Sequence, residues 1–105
     1  MSSHPHRLDL TDVARQDLRD ILRSTRARWG SRQGDAYQRQ LTDAFERLLR
    51  FPDLGRRADR FAPNLRSHTV GQHVIYYQTS ESVVTVLRLL HQKMDADAEL
   101  GDDTA

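Results

Sequence analysis

At 105 residues the chain has room for one domain with a thin core. Hydrophobic residues make up 37% and charged residues 30%, which leans polar without entering the disordered class, and the lack of cysteine excludes a disulfide framework or a thiolate metal site. The formal net charge of +1 conceals a split: positions 1–94 hold all sixteen basic side chains against ten acidic ones, a net of +6, while Asp95, Asp97, Glu99, Asp102 and Asp103 crowd the end.

Met1–His6 reads as a frayed arm, and its two histidines, His4 and His6, are too few to make a metal site. Arg7–Thr11 alternates, with Leu8 and Leu10 on one side, so a short half-buried strand is expected. Thr11 suits an N-cap and Asp12 the positive end of a helix. Ala14, Leu18, Ile21, Leu22, Thr25 and Trp29 then mark one face of that helix, and Gly30 can end it. Ser31 or Asp35 can cap a second helix, striped by Tyr37, Leu41, Ala44, Phe45, Leu48 and Leu49 and stopped at Phe51-Pro52. Two matching stripes with a short link predict a helical hairpin.

Phe51–Asn64, with Pro52, Gly55 and Pro63, reads as a connecting loop. Leu65–Val70, His73–Thr79 and Val83–His91 are rich in residues that suit a pleated sheet, joined by a Gly71-Gln72 type II′ turn and a second turn at Thr79–Ser82. The last strand is apolar on both faces, with Val84, Val86 and Leu90 set against Val83, Leu87 and Leu89. It should therefore be interior, with the first strand beside it. The expected fold class is α+β, β-α-α-β-β-β, with the helical hairpin on one face of a mainly antiparallel four-stranded sheet and the other face more open. Residues 1–100 form the single domain and 101–105 an acidic tail whose role is solvation. The apolar runs, such as Val74–Tyr77, are short, so neither a secretion signal nor a membrane span is expected, and the absence of cysteine fits the cytoplasm.

Chemistry-bearing motifs are sparse. There is no glycine-rich phosphate loop, no metal-ligand spacing and no serine nucleophile motif, so neither cofactor nor metal is expected. Asp17 and Asp20 read as a solvated helix face. Metal-free RNA cleavage needs phosphate neutralisation and proton transfer, which Arg66, Arg88, His91 and Lys93 with Tyr76 or Tyr77 supply if they converge near the strand ends. The plainer alternative packs the tyrosines in the core and ties Arg88 and His91 to the loop or tail.

The segments Leu10-Thr11-Asp12-Val13-Ala14-Arg15-Gln16-Asp17-Leu18, Arg28-Trp29-Gly30, Phe51-Pro52-Asp53-Leu54-Gly55-Arg56, Leu65-Arg66, Gly71-Gln72-His73-Val74-Ile75-Tyr76-Tyr77 and Val86-Leu87-Arg88-Leu89-Leu90-His91-Gln92-Lys93-Met94-Asp95 carry a resemblance. In that order and spacing the chain resembles the ParE branch of the RelE/ParE toxin superfamily over roughly 7–100. The resemblance implies the fold above and a toxin of a type II toxin–antitoxin pair, neutralised in a hetero-oligomer by a ParD-like antitoxin, with roles in plasmid maintenance and stress response. It implies DNA gyrase as the target, inhibited by binding, and no sequence-specific DNA binding by the toxin alone. The family ties toxicity to the end of the last strand, here Arg88, His91, Gln92, Lys93 and Met94. The related RelE branch cuts messenger RNA on the ribosome; its residues here would be Arg66, Arg88, His91 and Tyr77. With Lys93 its only lysine, the chain departs from the lysine-rich RelE pattern. A third expectation is a degenerate, non-toxic binding module. For the antitoxin, Arg15, Arg19, Arg23 and Arg26 on the first helix and Arg56, Arg57 and Arg60 in the loop offer a basic surface for an acidic amphipathic segment.

Overall fold

The computed structural model describes residues 7–100, so His4, His6 and the acidic tail 101–105 lie outside the described residues. Strand β1, Arg7–Leu10, leads directly into helix α1, Asp12–Trp29, and Thr11 caps it by accepting a 3.0 Å hydrogen bond from the Ala14 amide. Gly30, at φ 95°, is the whole link to helix α2, Ser31–Arg50. The backbone of Gly30 thus does the capping expected of Ser31 or Asp35, and α2 has no side-chain cap. A 3₁₀ turn, Pro52–Leu54, follows, then β2, Arg56–Arg57, β3, Leu65–Val70, β4, His73–Ser80, β5, Val83–His91, and a short helix α3, Ala96–Leu100.

The sheet order is β1-β5-β4-β3-β2, so β5 is interior and pairs with β1 in parallel, while the other pairings are antiparallel. The fold class is as expected, with one addition: β2 joins the edge of β3 through Arg56↔Ser67 and Arg57↔Arg66, which makes five strands. One core lies between helices and sheet, built on Ala14, Leu22, Leu41, Leu48, Ile75, Tyr77, Val84, Val86 and Leu89. Burying an aliphatic side chain of this kind contributes about 1.5–3 kcal/mol.

The second face is not left open. Leu65, Tyr76 and Leu90 form a smaller cluster there, covered by Phe61 from the loop and by Ala96 and Leu100 of α3. The expected sides of Leu89 and Leu90 are also exchanged. Tyr76 pairs with Arg88 but Tyr77 with Val86, so Leu87 is an extra residue in β5, and this bulge reverses the alternation beyond it. Leu89 then faces the helices and Leu90 the second cluster.

Trp29 departs from its expected place on the buried stripe, being 65% exposed. The end of α1 reaches the level of the β3–β4 turn, where the indole walls an open groove with Tyr37, Gln72 and His73 instead of entering the core.

Candidate functional site

β1 accompanies β5 only as far as Val86, so the outer edge of β5 from Leu87 onward must be satisfied otherwise. The start of α1 does this. The Thr11 amide donates to the Val86 carbonyl at 3.0 Å, and the Thr11 hydroxyl donates to the Leu87 carbonyl at 3.0 Å. The Leu89 amide donates to Asp17 Oδ2 at 3.0 Å. The same carboxylate accepts from Arg88 Nε at 2.7 Å and from its Nη2 at 3.1 Å. Asp17 and Arg88 are only 15% and 21% exposed, so this is a half-buried, bidentate ion pair. Asp17 therefore does not belong to the solvated face, unlike Asp20, which pairs with Arg23 in the open.

The other edge of Arg88 makes a single 3.4 Å contact, from Nη1 to Glu99 of α3. Its hydrogen bond to Asp17, ahead of any other influence, raises the pKa of the guanidinium above its ordinary value.

Beyond Arg88, β5 ends at His91, which pairs with His73. The two imidazoles meet edge to face at 5.2 Å. Tyr37 of α2 donates its hydroxyl proton to the Val70 carbonyl at 2.9 Å, so in the 2.6 Å contact to His73 Nδ1 the ring is the donor. His91 Nδ1 accepts from the Lys93 amide at 3.0 Å, which leaves its proton on Nε2, 3.3 Å from Gln72 Oε1. Burial, and then the nearby His91, push the His73 pKa down, while burial pushes the Tyr37 hydroxyl up. The Gln92 amide donates to the Gln72 carbonyl at 2.8 Å, and Met94 follows with its side chain exposed. Gly71, at φ 57°, packs so closely on the Tyr37 ring that a Cβ would lie 2.7 Å away. A groove of about 330 Å³ opens here, walled by Trp29, Gln33, Tyr37, Gln40, Gln72 and His73.

Of the four residues expected of a ribonuclease, only Arg66 and Tyr77 stand side by side. Tyr77 is fully buried; its hydroxyl donates to the Pro52 carbonyl at 2.7 Å and accepts from the Gly55 amide at 2.8 Å. Arg66 pairs opposite Tyr77 and donates to the Gly55 carbonyl at 2.8 Å. His91 stands opposite His73, about 13 Å further along β4 at ~3.3 Å per residue. Arg88 lies between them, held by Asp17.

The arginines expected at a partner surface fall into two groups. Arg15, Arg19, Arg23 and Arg26 share a stripe on α1, where Arg23 is paired with Asp20 and Arg26 with Asp35. Arg56, Arg57 and Arg60 line one recess of about 430 Å³ with Phe61 and Tyr76, although Arg57 pairs with Asp59 and Arg60 with Asp97. Arg60 also stacks over Phe61 at 4.4 Å.

Asp17, Tyr37, His73 and Glu99 are the site residues that sequence reasoning missed. Asp17 did carry a signal, since it lies three residues after Ala14 and four before Ile21, on the border of the apolar stripe. Among the described residues, no group of three or more His, Asp or Glu is placed to hold a metal ion, and no helix is long and apolar enough to cross a membrane.

A family model described as the ParE toxin of the type II toxin–antitoxin system parDE matches residues 8–96. Toxin ParE1 of Mycobacterium tuberculosis is 37% identical over 92 residues, covering 87% of this chain and 94% of that protein. Toxin ParE1 of Caulobacter vibrioides is 34% identical over 97 residues, covering 92% and 98%. Among solved structures, the chromosomal ParDE system of P. aeruginosa superposes with a TM-score of 0.71 at 18% identity, over 85% of this chain and 98% of that one. The RelBE2 toxin–antitoxin complex of Mycobacterium tuberculosis gives 0.61 at 24% identity, over 84% and 99%.

Proposed function

This chain belongs to the ParE toxin family of type II toxin–antitoxin systems, and from that premise we propose that it inhibits DNA gyrase by binding it and is neutralised by a ParD-like antitoxin. Toxin and antitoxin form a hetero-oligomer in the cytoplasm. The toxin makes no sequence-specific contact with DNA on its own.

The observation that carries a binding mode over RNA cleavage is the separation of Arg88 and His91 from the Arg66–Tyr77 pair. A metal-free nuclease needs a phosphate cradle and a proton shuttle within hydrogen-bond reach of each other. Here the Tyr77 hydroxyl is enclosed and doubly bonded, Arg66 is engaged with the loop carbonyl of Gly55, and Arg88, clamped on one edge by Asp17, has no proton shuttle beside it. The turn after β5 instead offers recognition groups: His91, Gln92 and Lys93, with Met94 exposed beside them. These, together with Arg88, are the target-facing residues of this reading. The antitoxin segment is acidic and amphipathic and is drawn to the α1 stripe and to the recess of Arg56, Arg57 and Arg60. The ParDE system of P. aeruginosa and the RelBE2 toxin–antitoxin complex of M. tuberculosis, which share this fold, favour such a partner.

Inducing the chain in cells with and without the antitoxin gene tests the reading. Growth arrest with gyrase-dependent DNA breaks, relieved by the antitoxin, supports it. Arrest without breaks, accompanied by cleaved messenger RNA, favours the RelE-like reaction, and unimpeded growth a degenerate module.

A further inference from the structure

The two edges of the Arg88 guanidinium are held very unequally. Nε and Nη2 are fixed by Asp17 in a fork of 2.7 and 3.1 Å, in a pair that is largely withdrawn from water. Asp17 is itself immobilised, because its Oδ2 also accepts the Leu89 amide at the open edge of β5. Nη1, by contrast, has only a 3.4 Å contact to Glu99, whose side chain is 36% exposed. An ion pair so close to solvent contributes little and exchanges readily, whereas a withdrawn bidentate pair does not.

Glu99 also sits on a five-residue helix with slight tethers. Ala96 and Leu100 rest on the second apolar cluster, and Asp97 reaches Arg60 at 3.4 Å with both side chains mostly exposed. This stretch of the chain is itself acidic and amphipathic, and it lies over the basic and aromatic side of the sheet. It displays the chemistry that this surface accepts: small apolar side chains against Leu90 and Tyr76, with carboxylates directed at Arg60 and Arg88.

We propose that Asp17 is a positioning residue that fixes Arg88 so that its outer edge receives a carboxylate from a protein partner, and that Glu99 is the chain's own placeholder for that carboxylate. The inference rests on the reading that an acidic antitoxin segment neutralises the chain, and it has that segment cover Arg88, one of the target-facing residues. The two acids then act in opposite senses on one arginine. Removing Asp17 leaves Arg88 unaimed, and removing Glu99 leaves it vacant and ready.

The test is the affinity and dissociation rate of the full-length cognate ParD-like antitoxin, measured against the wild-type chain, Asp17→Asn, Glu99→Gln and Arg88→Lys. Thermal melting is recorded in parallel. Asp17→Asn keeps an acceptor for the Leu89 amide, and it is expected to weaken binding roughly tenfold, as is Arg88→Lys, which loses the fork. Glu99→Gln is expected to tighten binding about threefold. A role in general surface charge predicts tighter binding from both acid removals, and a purely structural role predicts altered melting with unchanged affinity; either result overturns the proposal. Should Asp17→Asn fail to fold, Glu99→Gln decides alone, because unchanged or weaker binding sinks the placeholder. If the wild-type chain does not bind the antitoxin at all, the partner reading fails and this inference with it, a result distinct from wild-type binding without the opposite signs.

Discussion

Asp17 and Arg88 stand 71 positions apart in the chain, yet the carboxylate of one closes on the guanidinium of the other through two hydrogen bonds of 2.7 and 3.1 Å. The contact joins the second turn of α1 to the edge of β5 at the point where β1 has ended. It replaces the ladder that a longer first strand would have supplied, since Asp17 also takes the Leu89 amide. Asp17→Ala therefore leaves a half-buried guanidinium and a backbone donor unsatisfied together. The expected loss is about 2–4 kcal/mol, seen as a lower urea midpoint with an unchanged slope. A loss within the ordinary scatter of surface substitutions contradicts this role.

A second prediction concerns Tyr77 and the glycine it touches. The buried hydroxyl holds the loop by donating to the Pro52 carbonyl and accepting the Gly55 amide. Tyr77→Phe strands that amide and is expected to cost about 1–3 kcal/mol. Gly55→Ala is expected to cost a similar ~1–3 kcal/mol by overpacking, because the new Cβ would lie 2.6 Å from the Tyr77 hydroxyl and 2.8 Å from the Ser67 carbonyl. Denaturant melts of the two variants and their combination check it; full additivity would show that the two groups do not interact.

The histidines make stability depend on pH. Burial first, and then a neighbouring positive or ionisable group, lower the pKa of His68, which faces Arg47, and of His73, which faces His91. Tyr37 bonds to His73 and stays neutral in this range, its hydroxyl raised by burial. The folded state thus binds fewer protons than the unfolded one. The stabilisation is complete above the ordinary histidine value of 6.5 and is lost as pH falls from there through the lower folded values. The melting temperature should drop on acidification through this window, and His73→Gln should flatten the drop. A profile that rises toward acid, or one indifferent to His73→Gln, contradicts the assignment.

Electrostatic steering should be uneven among the basic residues. Arg23, Arg26, Arg57 and Arg60 already face carboxylates within the chain, whereas Arg15, Arg19 and Arg56 have no such partner among the described residues. Neutralising Arg15, Arg19 or Arg56 should slow antitoxin association more than neutralising the paired four, with the difference vanishing at high salt. Equal effects at all seven positions, or association rates indifferent to salt, contradict it.

The elements were largely legible because their signals are local. Thr11 as a cap, the stripe of α2, the Gly71-Gln72 turn and the doubly apolar β5 each follow from spacing and residue type. Three features escaped because they depend on partners far away in the chain. The two-residue β2 is too short to have a period and exists only because β3 offers it an edge. The bulge at Leu87 exchanges the faces of Leu89 and Leu90, and nothing in the run of valines and leucines announces where alternation breaks. Trp29 continues a perfect helical stripe past the end of the sheet, so periodicity assigned it to a core that does not extend that far. The site suffered most: Arg88 and His91 were visible as chemistry-bearing residues, but their true neighbours, Asp17 and His73, are set by register and by the packing of α1.

Acting by recognition rather than by bond breaking is the central claim, and a gyrase supercoiling assay with the purified chain tests it most directly. The expected result is inhibition with accumulation of cleaved DNA complexes, reversed by an equimolar amount of the antitoxin. Gyrase that supercoils unimpeded at concentrations where the same preparation arrests a translating extract by cutting its messenger RNA would contradict it.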